Sequence, residues 1–132
     1  KDKLIVEESV RKELRIKPKD EVTKENLAKV TRLYLVGTKI TDVGLKEVVK
    51  LRGLKSLYLS KTQITNRGLK DLANMQQLEK LKLNGTQITD AGLKELVKLQ
   101  NLQTLYLGRT QITNAAVAEL KKALPNCTIY GP

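Results

Sequence analysis

Apolar residues recur along this chain in two alternating rhythms. Segments such as Ser56-Leu57-Tyr58-Leu59-Ser60 alternate apolar and polar residues with the period of a half-buried strand, which turns Leu57 and Leu59 inward. The stretch that follows, Ile64-Thr65-Asn66-Arg67-Gly68-Leu69-Lys70-Asp71-Leu72, changes to helical spacing. An Asx residue stands where a helix N-cap belongs, so Asp42, Asn66, Asp90 and Asn114 are each expected to accept a bond from an orphaned backbone N–H of their own helix. Leu45, Val48 and Val49, then Leu69 and Leu72, then Leu93, Leu96 and Val97 supply the helix side of the core. Leu51 and Leu54, Met75 and Leu78, and Leu99 and Leu102 lead the chain back to the next strand.

The two rhythms repeat every 24 residues. The pattern Leu-x-Leu-x-x-Thr-x-Ile-Thr-(Asp/Asn) begins at Leu33, Leu57, Leu81 and Leu105, with Thr38, Thr62, Thr86 and Thr110 in step. A fixed period in this range predicts a solenoid that stacks one strand-plus-helix unit per repeat, with parallel strands on a concave side and helices on a convex side. Gly44, Gly68 and Gly92 sit early in the helices, where the lack of a side chain permits close approach of the neighbouring repeat, and Ala116 replaces them in the last one.

A stack this short needs covered ends. Val6, Val10 and Leu14 lie one helical turn apart, which predicts an amphipathic capping helix from about Leu4 to Arg15, broken before Pro18. Leu27 and Val30 fall 24 residues before Leu51 and Leu54, as half a repeat would. At the other end Cys127 and Ile129 replace the expected leucines with what reads as an altered spacing, so the repeats are expected to stop there. The expected division is a cap and half repeat over residues 1–32, four repeats over 33–128 and a C-terminal end over 129–132.

The segments Gly37-Thr38-Lys39-Ile40-Thr41-Asp42-Val43-Gly44-Leu45-Lys46 and Gly85-Thr86-Gln87-Ile88-Thr89-Asp90-Ala91-Gly92-Leu93-Lys94 resemble bacterial leucine-rich repeats, akin to the ribonuclease-inhibitor-like and F-box-associated classes. Residues 4–35 look like the N-terminal helical cap of internalin-type proteins. The resemblance implies a right-handed α/β horseshoe that binds other proteins. Thr stands here at the usual Asn ladder position.

Composition narrows the chemistry. With no Phe and no Trp among 132 residues, the core must be aliphatic. The absence of His and the single Cys127 remove the commonest metal ligands and general base, so neither a cofactor nor a metal is expected, and the chain is read as a non-enzyme. The Thr38, Thr62, Thr86 and Thr110 column lacks an activating base and is read as buried hydroxyls bonded to backbone. Cys127 is read as a small apolar residue of the end cap. No run approaches 18 consecutive apolar residues, so no membrane span is expected. A start at Lys1 rather than Met reads as a removed secretion signal, favouring a secreted or cell-envelope location, with an arbitrary boundary as the alternative.

The formal charge is +11, from 25 basic and 14 acidic residues. On the helix side Lys46, Lys70 and Lys94 form one column beside Glu47, Asp71, Glu95 and Glu119, which predicts charge balance between neighbouring repeats. The concave strand positions differ. Residues 32–39, 56–63, 80–87 and 104–111 hold Arg32, Lys39, Lys61, Lys80, Lys82 and Arg109 but no acidic residue, and Tyr34, Tyr58 and Tyr106 share a column interrupted by Lys82. Tyrosine and arginine are enriched in protein interfaces. The candidate partner-binding residues are therefore Arg32, Tyr34, Tyr58, Lys61, Lys80, Lys82, Asn84, Tyr106 and Arg109. The expectation is a monomeric recognition module for a protein with an acidic surface. Binding of a polyanion such as nucleic acid, acidic glycan or anionic lipid is the alternative, although no nucleic-acid motif is present.

Overall fold

Each repeat folds its alternating segment into a three-residue strand whose central apolar side chain is buried between two outward ones. The strands are β1 (Arg32–Tyr34), β2 (Ser56–Tyr58), β3 (Lys80–Lys82), β4 (Thr104–Tyr106) and β5 (Thr128–Tyr130), in a computed structural model that describes all 132 residues. They form one parallel sheet in chain order. Its register joins equivalent residues of successive repeats: Leu33 with Leu57, Leu57 with Leu81, Leu81 with Leu105, and Leu105 with Ile129. Backbone bonds extend the ladder past these short strands. The N–H groups of Leu35, Leu59 and Leu83 donate to Tyr58, Lys82 and Tyr106 oxygens at 2.9 Å, and that of Leu107 to Tyr130 at 2.7 Å.

Helical segments return the chain behind the sheet. They are α1 (Asp2–Leu14), α2 (Lys24–Ala28), α3 (Leu45–Val48, after a 3-10 turn at Asp42–Gly44), α4 (Asn66–Leu72), α5 (Asp90–Leu96) and α6 (Asn114–Ala123). No helix is long and apolar enough to cross a membrane. The inward leucines and isoleucines of all repeats join Val6 and Val10 of α1 in one buried cluster, so the cap shares the core of the repeats. Ser9 on α1 also donates to the Tyr34 carbonyl at 3.0 Å, which covers part of the free edge of β1. Arg11 ties down the loop after α1 by donating to the carbonyls of Lys17 and Asp20.

Three expectations are corrected by the structure. First, the sheet has five strands, not four, because Thr128-Ile129-Tyr130 stands in the same 24-residue register as Thr104-Leu105-Tyr106. Cys127 falls at the variable position of Lys55, Glu79 and Gln103, and Asn126 in place of the leucine at 54, 78 and 102 obscures a strand spacing that is in fact unbroken.

Second, the Asx column does not cap its own helices. Thr65, Thr89 and Thr113 occupy the extended position before α4, α5 and α6, and the side chains of Thr65 and Thr113 accept from Arg67 and Ala116 N–H groups. The Asx side chains, one residue later, reach across to the next repeat instead. Asp42 accepts the Thr65 N–H at 2.8 Å and also the Thr65 hydroxyl. Asn66 accepts the Thr89 N–H at 2.9 Å and donates its amide to the Thr89 hydroxyl at 2.7 Å, and Asp90 accepts both groups of Thr113 at 2.8 Å. Asp2 of the cap helix begins the series by accepting the Thr41 hydroxyl at 2.7 Å and its N–H at 3.3 Å.

Third, the ion pairs of the helix face form within repeats and not between them. Glu47, Glu95 and Glu119 pair with Lys50, Lys98 and Lys122 at 3.2 to 3.3 Å, three residues on, while Lys46, Lys70 and Lys94 form no ion pair. Positions three apart are neighbours on a helix, closer than the next repeat's lysine.

Candidate functional site

The outward side chain at the end of each strand falls in a single row across the sheet. Register places Tyr34, Tyr58, Lys82, Tyr106 and Tyr130 side by side on β1 to β5. Tyr34 stacks on Tyr58 with ring centroids 4.5 Å apart and planes 12° from parallel, and Tyr106 stacks on Tyr130 at 4.7 Å and 15°. Between the two pairs, the Lys82 ammonium lies 4.6 Å from the Tyr106 ring centroid and 5.8 Å from that of Tyr58. Each contact of this kind contributes on the order of 0.5–1 kcal/mol at an exposed site. Together they hold five long side chains in one continuous strip.

The expected interruption of the tyrosine column by Lys82 is thus a junction. Tyr130, which lies beyond the expected last strand, is a fifth member that sequence reasoning missed. The signal was available in the match of Thr128-Ile129-Tyr130 to Thr104-Leu105-Tyr106.

The other candidate residues surround this row. Arg32 and Lys80 share the column two residues earlier on their strands, but Arg32 is not an unpaired cation, because Glu13 of α1 accepts from its guanidinium at 3.3 Å. Asn84 is partly occupied within the fold, its side-chain oxygen accepting the Ser60 hydroxyl at 2.6 Å, and Ser60 itself is buried rather than presented to a partner.

Lys61 and Arg109 follow β2 and β4 in left-handed backbone conformations, φ 58° and 56°. The equivalent residues after β1 and β3 are Gly37 and Gly85, at φ 71° and 75°. The repeat therefore requires a left-handed residue at this turn, and two of its four occupants are cations in a conformation that favours glycine. The Lys61 stem leans toward β3, since a Cβ built on Gly85 would lie 3.2 Å from Lys61 Cγ. Lys61, Lys80, Lys82 and Arg109 make no ion pair within the chain.

Nothing in this arrangement forms a catalytic constellation. The hydroxyls of Thr38, Thr62, Thr86 and Thr110 donate to the carbonyls of Leu35, Leu59, Leu83 and Leu107, three residues back in their own turns, at 2.6 to 2.8 Å. Burial pushes the Cys127 thiol up, away from the reactive thiolate, as its side chain packs against the core. No group of three or more Cys, Asp or Glu residues is disposed to hold a metal. The apolar cleft of about 430 Å³ between α5 and α6, lined in part by Leu93, Val97, Ala116 and Leu120, lies among the helices and apart from the strand face.

Two family models match the chain, both of them leucine-rich repeats, at residues 28–88 and 76–122. Among solved structures, an internalin from Listeria monocytogenes superposes with a TM-score of 0.71 and 28% identity, covering 96% of this chain and 35% of that one. A second internalin from the same species has a TM-score of 0.65 and 24% identity, covering 96% of this chain and 62% of its own. A leucine-rich-repeat protein of Leptospira interrogans gives 0.55 and 27%, with 83% of this chain and 33% of that chain covered. The chain thus spans about a third to under two thirds of these proteins' lengths. No curated protein matches the sequence.

Proposed function

From a chain built of leucine-rich repeats, we propose a protein recognition module that binds an acidic protein surface through its concave strand face. Proteins of this architecture generally mediate protein–protein interaction, because stacked repeats present one side chain per strand in fixed rows. The observation that carries the reading is the strip of four tyrosines and Lys82, continuous across five strands and flanked by the unpaired cations Lys61, Lys80 and Arg109. Stacked tyrosines are rigid, amphipathic contact area, and the cations steer acidic surfaces toward it. The module acts as a monomer without cofactor or catalysis, and its repeats are of the ribonuclease-inhibitor-like class.

Affinity capture of the natural partner, followed by titration with variants, tests this reading. Tyr58→Ala is expected to cost about 1–3 kcal/mol of binding. Lys82→Glu is expected to slow association and weaken its salt dependence. Lys46 and Lys94, on the helix face, are the controls. Loss of binding on changing these, with no effect at Tyr58 or Lys82, contradicts the concave-face assignment. The polyanion alternative rests on the charge of +11 and predicts a near-equal loss from any Lys or Arg change, a steep loss with salt, and little effect at Tyr58.

A further inference from the structure

The central row has a chemical sequence of its own: an aromatic pair, a cation, an aromatic pair. Lys82 stands between two ring systems and forms no hydrogen bond or ion pair with any acceptor of the chain, so its ammonium donors face outward. The hydroxyls of the four tyrosines likewise take no partner within the fold. Contacts with Tyr58 and Tyr106 restrict the lysine, which lowers the ordering cost of meeting an anion at that point. The nearly parallel rings of each pair stack on one another, so each pair presents ring edges and hydroxyls outward as one apolar step about two strands wide.

The spacing of these three elements matches an extended peptide. Strands lie about 4.8 Å apart, so the middle of each tyrosine pair is about 7 Å from Lys82 across the sheet. An extended chain advances about 3.3 Å per residue and returns to the same side every second residue, a step of about 6.7 Å. A segment laid across the strands therefore places residue i on Lys82 and residues i−2 and i+2 on the two tyrosine pairs.

We propose that the Tyr34–Tyr58, Lys82 and Tyr106–Tyr130 elements form one composite subsite for an extended acidic segment of a partner protein. Its recognised pattern is a Glu or Asp with aromatic or other large apolar residues two positions before and two after. The inference rests on the concave-face reading and specifies the partner's contacting element. Charge complementarity supports that occupant, since no carboxylate of this chain pairs with Lys82: Glu79, three residues before it, is engaged by Lys55, and Glu13 by Arg32 at one end of the sheet.

An NMR titration of the full chain with blocked synthetic peptides tests it. The sequence Trp-Ser-Glu-Ser-Trp is expected to shift backbone amides of β2 to β4 and to bind at least about fivefold tighter than Trp-Ser-Gln-Ser-Trp or the respaced Ser-Trp-Glu-Trp-Ser. Lys82→Met is expected to abolish the preference for Glu over Gln while leaving the amide spectrum of the core unchanged. The proposal is overturned by any of three results: no strand-face shifts at millimolar peptide, a smaller preference between the peptides, or a preference that survives Lys82→Met. A sulfated polysaccharide that shifts the same amides while the Glu and Gln peptides are indistinguishable overturns it in favour of a polyanion. If the peptides fail yet the captured natural partner is still lost on Tyr58→Ala, the composite subsite falls and the concave-face reading stands; loss of both discards both.

Discussion

Two glycine positions show how differently single residues are constrained by stacking. At Gly92 the limit is space, because an added Cβ would lie 2.3 Å from Asn66 Oδ1 and 2.8 Å from Leu69 Cδ1. Alanine gains about 1 kcal/mol of helix propensity there, but moving Asn66 breaks its bond to Thr89 and overpacks Leu69, each a loss of about 1–3 kcal/mol. Gly92→Ala is therefore expected to lower stability by about 1–5 kcal/mol in a urea titration. At the turn after each strand the limit is backbone sign, met by glycine at 37 and 85 and by Lys61 and Arg109 elsewhere. A side chain in this conformation costs about 1–2 kcal/mol, partly offset by the lower unfolded-state entropy of a non-glycine residue. Lys61→Gly is expected to raise stability by up to about 1 kcal/mol while weakening capture of the acidic partner. A variant that loses stability instead shows that the Lys61 stem contributes packing over Gly85 that outweighs its backbone cost. The left-handed turns were not legible in the sequence, since Gly alternates there with Lys and Arg, which share no conformational preference with it.

At the scale of elements, the strands and helices were legible because each inward leucine must be buried and the two periodicities cannot be satisfied by one conformation. Leu57 and Leu59 are fully buried as the alternation requires. The bonds between repeats were not legible, because Asp42 and Thr65 are far apart in sequence and each residue type also fits local helix capping. In the structure both roles are used, Thr for the cap and Asx for the neighbour, so the ladder fixes the distance between successive helices. Asn66→Ala removes the acceptor of the partly buried Thr89 N–H and is expected to cost about 1–3 kcal/mol. Asp90→Ala is expected to cost less, since the Thr113 bonds are exposed and water can replace them. Equal losses in the two denaturation midpoints would mean that solvent access does not set the strength of this ladder. The fifth strand was hidden for a different reason. Asn126, not Cys127, stands where Leu54, Leu78 and Leu102 precede the earlier strands, and this break hid Ile129 and Tyr130, which keep both the inward and the outward positions of the repeat.

Across the whole molecule, charge and end-capping divide between the two termini and the two faces. Residues 32–132 hold 16 basic and 7 acidic residues, and most of those acids are already committed: four to ion pairs with lysines and Asp42 and Asp90 to the ladder. The excess of positive charge lies on both faces, as Lys61, Lys80, Lys82 and Arg109 on the strand side and as Lys46, Lys70 and Lys94 on the helix side, but only the strand side lacks acidic residues among its positions. At the N-terminal end, α1 contributes three separate attachments: Val6 and Val10 to the core, Ser9 to the edge of β1, and Asp2 to Thr41. Glu13 adds a fourth by pairing with Arg32. A solenoid end has no neighbour to bury its apolar row, and exposed rows of this size associate. Removal of residues 1–26 would uncover the first repeat's Leu33, Leu35 and Leu45 side, free the edge of β1 and leave the Thr41 hydroxyl without its acceptor. The truncated chain is expected to unfold or aggregate, read by circular dichroism and light scattering after size exclusion. A chain beginning at Leu27 that stays monomeric with an unchanged melting temperature contradicts the capping role, because in that case the first repeat would close its own core without help from α1.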